Sequence, residues 1–540
     1  MQKRNKTCPF CYLRKMFLGK PEVGGEQFPP YEGGGRRTPL MGWSSWNTFR
    51  NTIDEKLILD TAAAMKETGL LDAGYEYVNL DDNWHSNLRD EEGRQQGDLV
   101  RFANGIPHLV GKLNEMGFKA GLYSSNGTLT CEDLPAGLGR ERTDARTYAA
   151  WGAEYLKYDF CHNIPLSEYA PLVYSVDVTP LGGGKTTEYQ VSNARLEGLA
   201  RRMKCSKVAG GQYVSGLDEG AGRMTFDNVV VPEGGKYVLT VNVYKYGRYE
   251  KYLAVDVNGK YAAEIEFPSQ KKFNVTARFQ AVVELNAGAN SISLYNPVKD
   301  KKASAAILYR RMAYALENAA EGQAAKTGQP VKPITFSICE WGFRKPWLWG
   351  ATAGNMWRTT PDIRPWWPWI KTIYSRNVKL YKYASEGHFN DPDMLEVGNG
   401  KLSYDRNMAH FALWCMMCAP LVLGNDIRKI SKPVLEIVTN RDLIAINQDA
   451  LCKQAKRIKR GAVDVLAKPL ADGKTAVCFF NKTILKQKSA LDVEKLRKDD
   501  YVAAPAFKGE FKVVTGQATL EGNKIKASLA PDGVTVVIIG

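Results

Sequence analysis

Tyr155-Leu-Lys-Tyr-Asp-Phe160 completes the first half of a repeating pattern that decides the fold of this 540-residue chain. It is the fourth short apolar run, after 41–46, 75–80 and 120–123, and helical patterns at 58–68, 106–116 and 143–151 separate these runs. Such alternation is typical of parallel βαβ units, because parallel strands are joined by helical crossovers and are buried on both faces. The sequence therefore predicts an α/β fold built on a parallel sheet.

The same rhythm returns in the second half of the chain. Apolar runs occupy 334–341, 357–363, 388–395 and 420–426, and helical patterns occupy 307–323, 404–419 and 431–446. Four strands before the interruption and four after it make eight, which is the number that closes a (β/α)₈ TIM barrel. We expect the barrel to comprise 37–176 and 307–455.

The segments outside this rhythm have a different character. Residues 177–306 contain short alternating runs, and Asn258-Gly259 between two of them is a strong hairpin signal, so we predict an inserted all-β sandwich domain. Residues 456–540 also alternate, which predicts a C-terminal antiparallel β-domain of sandwich type. Residues 1–36 are basic and then rich in Gly and Pro, which predicts a loose N-terminal leader.

The net charge of the chain is +15, but the positions of Lys and Arg along the sequence say more about its partners than the total charge does. A basic surface suits nucleic acid, an anionic glycan, a membrane surface or simply solubility. Lys and Arg are spread along the chain, and no helix-turn-helix, RNP or paired zinc-finger pattern is present, so we expect no nucleic-acid partner. No apolar run approaches the length of a transmembrane helix, so we expect no membrane partner.

The cysteines and the N-terminus bear on the metal content and the compartment. Ten cysteines are too few for a disulfide framework in a chain of this length. Cys8 and Cys11 lack a second pair at zinc-site spacing, and Cys415 and Cys418 lie in an apolar run where core thiols are expected. Because no apolar h-region follows the basic N-terminus, the chain as written is expected to be cytoplasmic, with secretion left open.

The ends of the expected strands carry the chemistry. Catalytic groups of a (β/α)₈ barrel lie at the C-terminal ends of its strands. Seven of the eight expected strands end here in carboxylates, aromatics or cations, namely Trp46, Asp81, Asp82, Tyr123, Lys157, Asp159, Glu340, Arg358, Asp362, Asp391 and Asp393. Solvation of the barrel rim explains one such residue but not seven strands together. All twelve tryptophans lie between Trp43 and Trp414, which favours a site that stacks on sugar rings.

This set of residues suits glycoside hydrolysis. A retaining glycosidase uses one carboxylate as the nucleophile and a second carboxyl group as the acid/base. We expect Lys157, two residues before Asp159 on the same strand face, to favour the ionised form of Asp159. We expect burial or the negative nucleophile to raise the pKa of Asp362. Trp46 and Trp341 offer apolar ring faces to the sugar.

Six ordered sequence blocks contain most of these strand-end residues. The blocks are Met41-Gly-Trp-Ser-Ser-Trp-Asn-Thr-Phe49, Asn79-Leu-Asp-Asp-Asn-Trp84, Leu156-Lys-Tyr-Asp-Phe-Cys161, Ser337-Ile-Cys-Glu-Trp341, Trp357-Arg-Thr-Thr-Pro-Asp-Ile363 and Asn390-Asp-Pro-Asp-Met-Leu395. They resemble the signature motifs of glycoside hydrolase family 27, and the resemblance covers about 37–176 and 307–455. This family comprises α-galactosidases, α-N-acetylgalactosaminidases and some β-L-arabinopyranosidases.

The resemblance implies a role for each site residue. Asp159 would be the nucleophile and Asp362 the acid/base, and no cofactor would be required. Asp81 and Asp82 would bind the O4 and O6 hydroxyl groups, and Lys157 would bind the O3 and O4 side of the sugar. Glu340 and Arg358 would hold the 2-position. Tyr123 and Asp393 would line the pocket, and Trp46 would stack on the sugar ring. The resemblance also implies a Cys131–Cys161 disulfide. The chain departs from the pattern at Asn83 and at Gly354, where relatives carry cysteines, so Cys339 has no obvious partner.

Two positions point to galactose within this family. The long side chain of Glu340 should exclude an acetamido group at C2, and Asp82 suits a sugar that retains its C6 hydroxymethyl group. We therefore expect a retaining exo-glycosidase that removes terminal α-D-galactosyl residues from oligosaccharides or polysaccharides. A β-L-arabinopyranosidase or another exo-glycosidase of the family is the first alternative, and an inactive galactoside-binding barrel is the second.

The insert resembles a carbohydrate-binding module of the family 35 type, chiefly through Tyr189-Gln-Val-Ser-Asn-Ala-Arg-Leu-Glu-Gly198. Modules of this type often carry a structural calcium, so a calcium site is implied here. Its tyrosines, including Tyr244, Tyr246, Tyr249 and Tyr252, could form a stacking platform. The alternative is a β-domain used for packing or for contacts between copies of the chain, which leaves an oligomer open.

Overall fold

The computed structural model describes residues 31, 35, 37–244, 250–267 and 276–540. They fall into two compact units: one includes Ile164–Leu308, and the other contains the described residues up to Asn163 together with Tyr309–Gly540. Of the predicted leader 1–36, the structure describes Tyr31 and Gly35, and its Cys8 and Cys11 lie outside the described residues.

Eight parallel strands form the sheet of the second unit, as the alternating pattern predicted. The strands are β1 (Met41–Ser44), β2 (Tyr77–Asn79), β3 (Lys119–Ser125), β4 (Tyr155–Asp159), β5 (Thr335–Ile338), β6 (Met356–Arg358), β7 (Phe389–Asp391) and β8 (Leu421–Leu423). Their order is β7-β6-β5-β4-β3-β2-β1-β8, and a parallel bridge between Leu395, just after β7, and Leu423 of β8 joins the two edges. The TIM-barrel class is therefore confirmed.

Helices follow most of these strands, as a (β/α)₈ barrel requires. The predicted helix over 431–446 is two helices, because the side chain of Asn440 accepts a hydrogen bond from Leu443 N at 3.0 Å and caps a new start. The helices are Trp46–Phe49, Glu55–Glu67, Ile106–Glu115, Glu141–Trp151, Lys301–Thr327, Trp367–Asn377, Tyr404–Met416, Lys432–Val438, Arg441–Asn447 and Glu494–Arg497. None of the described helices has the length and apolar character needed to cross a membrane.

The sixth strand ends earlier than its apolar pattern predicts. The expected strand over 357–363 stops at Arg358, and Thr359 N then donates to Asp391 O at 2.8 Å. Pro361 has no N–H to donate to a neighbouring strand, so the ladder cannot continue through it. Asp362 consequently lies on a loop after β6 rather than on the strand itself.

The inserted unit is a β-sandwich whose two sheets share one apolar core. Its first strand begins at Leu172, so the predicted start at 177 is wrong. The run 172–176 looks like a barrel strand because it is apolar, but Val173 and Val176 pack in the sandwich core. One sheet contains Arg195–Gly198, Gly222–Val231, Lys251–Val257, Lys260–Phe267 and Gly288–Tyr295, and the other contains Leu172–Pro180, Thr187–Gln190, Arg201–Lys204, Gln212–Ser215, Gly235–Tyr244 and Thr276–Leu285.

The hairpin prediction for the insert is confirmed and the tyrosine platform is not. Asn258 and Gly259, both with positive φ, join the antiparallel strands Lys251–Val257 and Lys260–Phe267. Tyr244 and Tyr252 are buried and cannot offer their faces to a sugar in solution. Tyr246 and Tyr249 lie outside the described residues.

The C-terminal β-domain packs a five-stranded and a three-stranded antiparallel sheet around its own core. It anchors the helix Trp367–Asn377, because Tyr374 Oη donates to Asp464 Oδ2 at 3.0 Å and Lys371 Nζ lies 3.2 Å from Asp532 Oδ1. This helix directly follows the loop of Asp362. The strands are Lys456–Lys459, Val463–Pro469, Thr475–Asn481, Gln487–Asp492, Phe511–Thr515, Gln517–Glu521, Lys524–Leu529 and Val534–Ile539.

Candidate active site

A cavity of about 150 Å³ lies at the C-terminal ends of the barrel strands. Ten of the eleven predicted catalytic and substrate-binding residues line it, and only Glu340 does not. The ten are Trp46, Asp81, Asp82, Tyr123, Lys157, Asp159, Trp341, Arg358, Asp362 and Asp393. Residues on or directly after seven of the eight strands thus converge on one space.

Asp159, the last residue of β4, lies at the floor of the cavity and is 5% exposed. Its Oδ1 accepts a hydrogen bond from Phe160 N at 2.8 Å, and its Oδ2 accepts one from Tyr123 Oη at 3.2 Å. Burial raises the pKa of Asp159 to about 6, against the opposing effect of the Lys157 ammonium. Two donors hold the carboxylate in one orientation, as a nucleophile requires.

Lys157 pairs directly with Asp81 rather than with Asp159. Its Nζ donates to Asp81 Oδ2 at 2.9 Å and lies 5.2 Å from the centre of the Tyr123 ring. Burial lowers the pKa of Lys157, but the surrounding negative groups, Asp81 foremost and Asp159 among them, together outweigh burial and raise it well above its ordinary value. Lys157 therefore stays charged, and its effect on Asp159 is electrostatic.

Asp81 and Asp82 both line the cavity although they are adjacent in the chain. The strand has already ended at Asn79, and Asn83 adopts a left-handed conformation with φ of 72°, so the backbone turns there. Glu132 N donates to Asp82 Oδ2 at 3.1 Å. Burial raises the pKa of Asp82 to about 6. The turn allows two neighbouring carboxylates to accept hydrogen bonds from one ligand.

Arg358 connects the second catalytic carboxyl group to the cavity wall. Its Nη2 lies 3.0 Å from Asp362 Oδ1 and 2.8 Å from Asp393 Oδ2, and Asp393 also accepts from Ile363 N at 2.7 Å. The Asp362 side chain is 67% exposed, so it lies at the open side of the cavity. Desolvation raises the pKa of Asp362, but the neighbouring cations, Arg358 foremost with Lys157 and Arg364, together outweigh desolvation and the net shift is downward.

The expectation of a raised pKa for Asp362 and a readily ionised Asp159 is therefore wrong for the unliganded site. Asp159 is buried and its pKa is raised, whereas Asp362 is paired with Arg358 and its pKa is lowered. The two groups also influence each other, because the Asp362 charge raises the pKa of Asp159. When the two groups together hold one proton, that proton can lie on Asp159 or on Asp362, and we treat the apparent pKa values as those of the pair.

The shared proton predicts an acidic, bell-shaped pH profile. Attack needs Asp159 ionised while Asp362 holds the proton, and that form exists only in the singly protonated pair. For methyl α-galactoside we expect kcat/KM to decrease as the pH rises above about 6, the higher of the two values. It should decrease again at low pH, below the ordinary aspartate range. Initial rates of galactose release against pH would measure both limbs.

A substrate with an activated leaving group provides the control for this profile. A 2,4-dinitrophenolate ion leaves without protonation, so only Asp159 must be ionised. With 2,4-dinitrophenyl α-galactoside we expect kcat/KM to rise through pH of about 6 and then to stay level. Identical profiles for the two substrates would contradict the shared-proton interpretation.

Glu340 does not lie where the resemblance implies. Its side chain is fully buried and does not line the cavity. Oε2 accepts a hydrogen bond from Arg344 N at 2.7 Å, and Oε1 has no hydrogen-bond partner among the described residues. Trp341, with φ of 59°, turns the backbone directly after Glu340. The structure thus places the carboxyl group at the turn that follows β5 rather than in the cavity lining, and its contact with the 2-position stays a prediction.

Replacement of Glu340 with Gln should change the pH dependence of stability more than it changes catalysis. Burial raises the pKa of Glu340 to about 8, so the folded state binds a proton that the unfolded state releases above its ordinary pKa of 4.5. This contribution is present below that value and is lost as the pH rises to about 8. We expect E340Q to flatten this loss, measured by urea unfolding at several pH values. A large increase in KM for galactosides would instead indicate that Glu340 contacts the sugar.

Cys131 and Cys161 form a disulfide at the edge of the cavity. Tyr123 Oη lies 3.2 Å from Cys131 Sγ, so the disulfide packs beside the hydroxyl group that holds Asp159. Asp159 and these two sulfurs form the one cluster of potential metal ligands among the described residues, and both sulfurs are already bonded to each other. Cys339 is free and buried, and Cys415 and Cys418 are buried free thiols in the core, as expected.

Four charged or polar cavity residues were missed at the sequence level. Asn47, Arg50, Arg364 and Glu396 line the cavity but do not end a strand, so the strand-end rule does not select them. Glu396 accepts from Asn47 Nδ2 at 2.9 Å, and burial raises its pKa to about 7. Arg50 and Arg364 directly follow the motif blocks 41–49 and 357–363, and that adjacency is the signal that could have found them.

Comparison with known proteins gives consistent matches. The family model described as Alpha galactosidase A matches residues 38–178 and 300–449, on both sides of the insert. Alpha-galactosidase A of Cellvibrio japonicus (strain Ueda107) is 30% identical over 83% of this chain and 76% of its own length. Alpha-galactosidase of Cyamopsis tetragonoloba is 30% identical over 84% of this chain and 74% of its own. The crystal structure of alpha-galactosidase I from Mortierella vinacea aligns with a TM-score of 0.63 at 24% identity, covering 94% of this chain and 98% of that one, and it supports the fold.

Proposed function

The chain belongs to the alpha galactosidase A family, the glycoside hydrolase family 27 that its motifs resemble, and from this premise we propose that it removes terminal α-D-galactosyl residues with retention of configuration. The observation that carries the proposal is the convergence of ten expected residues on one cavity. Members of this family need no cofactor, and the two carboxyl groups supply the nucleophile and the proton.

In the first step, Asp159 Oδ2 attacks the anomeric carbon while Asp362 protonates the glycosidic oxygen. The bond between C1 and that oxygen breaks, and a β-linked galactosyl ester forms on Asp159. In the second step, Asp362 takes a proton from water, which attacks C1 and releases Asp159. Tyr123 and Phe160 N hold the nucleophile throughout, and the open position of Asp362 leaves room for the aglycone and then for water.

The sugar is held mainly by charged groups on two sides of the cavity. Asp81, Asp82 and Lys157 suit the O3, O4 and O6 hydroxyl groups on one side. Glu340 is not in the cavity lining, so we assign the wall around the 2-position to Arg358 and Trp341, which are. The preference for galactose then rests on Asp82 and on this wall rather than on Glu340.

Two measurements test the proposal. Rates with 4-nitrophenyl α-galactoside should exceed those with 4-nitrophenyl β-L-arabinopyranoside, and proton NMR should detect α-galactose as the first product. Preference for the arabinopyranoside would assign the chain to that activity, and β-galactose as the first product would indicate inversion. Galactose binding without turnover of either substrate would favour an inactive galactoside-binding protein.

We also propose that the insert is a carbohydrate-binding module of family 35 type with a structural calcium. The two-sheet sandwich with one apolar core supports this assignment. Titration of calcium into chelator-treated full-length protein, followed by calorimetry, would test the ion, and absence of binding heat would reject it. We further propose a cytoplasmic location, which cell fractionation would test. We propose that the chain has no nucleic-acid partner, which gel-shift assays would test. An oligomer of the chain is a further proposal, which light scattering would test.

A further inference from the structure

The loop that carries Asp362 also carries an arginine and an exposed tryptophan. Arg364 is exposed and lines the cavity, and Trp366 is 63% exposed. Neither side chain has a use in the mechanism derived above. Because Asp362 must reach the glycosidic oxygen, whatever lies beside it on the solvent side is placed to contact the leaving group.

Several contacts fix the backbone of this loop, so the points from which its side chains extend are held in position. Ile363 N donates to Asp393 Oδ2 at 2.7 Å, and Trp369 Nε1 donates to Asp362 O at 2.8 Å. Trp366 N donates to Arg364 O at 2.7 Å in a tight turn. A Cβ added at Gly400 would lie 2.8 Å from Pro365 O, so the loop packs closely on the neighbouring backbone.

A second cation, Arg50, lines the same cavity and comes from the segment that follows β1. Arg50 ends the short helix Trp46–Phe49 with φ of 46°, a conformation that is strained for a residue with a side chain. Its guanidinium carbon lies 5.6 Å from the centre of the Trp46 ring. Neither Arg50 nor Arg364 forms an ion pair with a carboxylate among the residues that the structure describes, whereas Lys157 and Arg358 in the same cavity both do.

We propose that Arg364 and Trp366, together with Arg50, form a leaving-group subsite for a sugar that bears a negative charge. The inference rests on the proposed α-galactosidase function and specifies its substrate class. A guanidinium binds a carboxylate or sulfate group through two parallel hydrogen bonds, and an indole ring stacks on a pyranose face. The net charge of +15 would also attract an acidic glycan over a longer range.

The test compares leaving groups that differ only in charge. Disaccharides of α-galactose on methyl glucuronide, linked at either the 3- or the 4-position, are matched with their carboxyl-reduced counterparts, which are methyl glucosides. We expect kcat/KM for the better-accepted uronate to exceed that for its neutral counterpart about five-fold, an advantage that should shrink as salt is added. The corresponding 6-sulfated glucoside distinguishes a sulfate from a carboxylate as the preferred group.

Variants assign the preference to the loop. R364Q should reduce the ratio of charged to neutral kcat/KM from about five to below about two, because only Arg50 then remains to hold the charge, whereas W366A should lower both values and keep the ratio. The matched control is R376Q, which removes the same charge from an exposed position on the following helix that does not line the cavity. The ratio cancels any effect of Arg364 on the proton of Asp362, because that effect applies to both substrates.

Each remaining outcome is decisive. A wild-type ratio near one for the uronate and for the sulfated substrate, or a ratio unchanged in R364Q, would overturn the anionic subsite. Hydrolysis of 4-nitrophenyl α-galactoside in the same preparation separates that failure from a failure of the proposed function, because this substrate carries no anionic sugar.

Discussion

Replacement of Asp159 with Asn should reduce kcat/KM for α-galactosides at least about 10⁴-fold, because no other group can form the covalent intermediate. The amide has nearly the same shape as the carboxylate, so Phe160 N and Tyr123 can still surround it. Binding of galactose should therefore persist while turnover stops. Isothermal titration with galactose and rate measurements with 4-nitrophenyl α-galactoside would give the two values.

The smaller variant D159A adds a test of geometry. Azide can enter the vacated space and attack the anomeric carbon from the same face as the lost carboxylate, so an activated α-galactoside should yield β-galactosyl azide. D133N is the matched control, since Asp133 is exposed and pairs with His162 outside the cavity lining. Its rates should stay close to those of the unmodified protein. Substantial activity of D159N without azide would reject Asp159 as the nucleophile.

Most of the candidate site could be predicted because, in a barrel, a residue's position at the end of a strand in the sequence also gives its position in space. The strands are parallel, so the residues that end them meet at one edge. Asp159 ends β4, and Asp81 and Asp82 follow β2. Counting apolar runs was therefore enough to bring distant residues such as Trp46 and Asp393 into one cavity.

Sequence reasoning was least informative where loop geometry decides the direction of a side chain. Glu340 follows β5 as expected, but the turn at Trp341 directs its carboxyl group to Arg344 N. Positive φ values outside glycine depend on the surrounding packing, and no periodicity in the sequence reports them. Arg50 also has a positive φ, and it was missed because it ends a short helix rather than a strand.

Charge states were the second limit of sequence reasoning. The spacing of Lys157 and Asp159 shows that they share a strand face, but it does not show that the Lys157 ammonium donates its hydrogen bond to Asp81 Oδ2. Similarly, the motif that contains Arg358 and Asp362 does not reveal that their side chains lie 3.0 Å apart. A pKa depends on such distances and on burial, so its direction could be assigned only from the structure.

The start of the insert shows a related ambiguity. A short apolar run such as 172–176 suits a buried barrel strand and a sandwich strand equally well. Only the partner strand separates the two, and Leu172–Pro180 pairs antiparallel with Gly235–Tyr244. Antiparallel pairing places it in the inserted sandwich rather than in the parallel sheet.

Replacement of Asp362 with Ala should affect substrates according to how much help their leaving groups need. For methyl α-galactoside, whose leaving group must be protonated, we expect kcat/KM to fall about 10³-fold. For 2,4-dinitrophenyl α-galactoside the first step needs no proton and should be nearly unaffected, while the second step loses its base. The galactosyl-enzyme should then accumulate, which a burst of dinitrophenolate and a low KM would reveal.

Azide distinguishes this defect from that of the nucleophile variant. In D362A, azide needs no base to attack the galactosyl-enzyme, so it should restore turnover and yield α-galactosyl azide, the opposite anomer from D159A. The alkaline decrease in kcat/KM above pH of about 6 should also disappear, because that limb records the proton shared with Asp362. Equal losses on both substrates, or β-galactosyl azide from D362A, would place the acid/base elsewhere, and Glu396, buried in the same cavity with a pKa of about 7, would be the next carboxyl group to test.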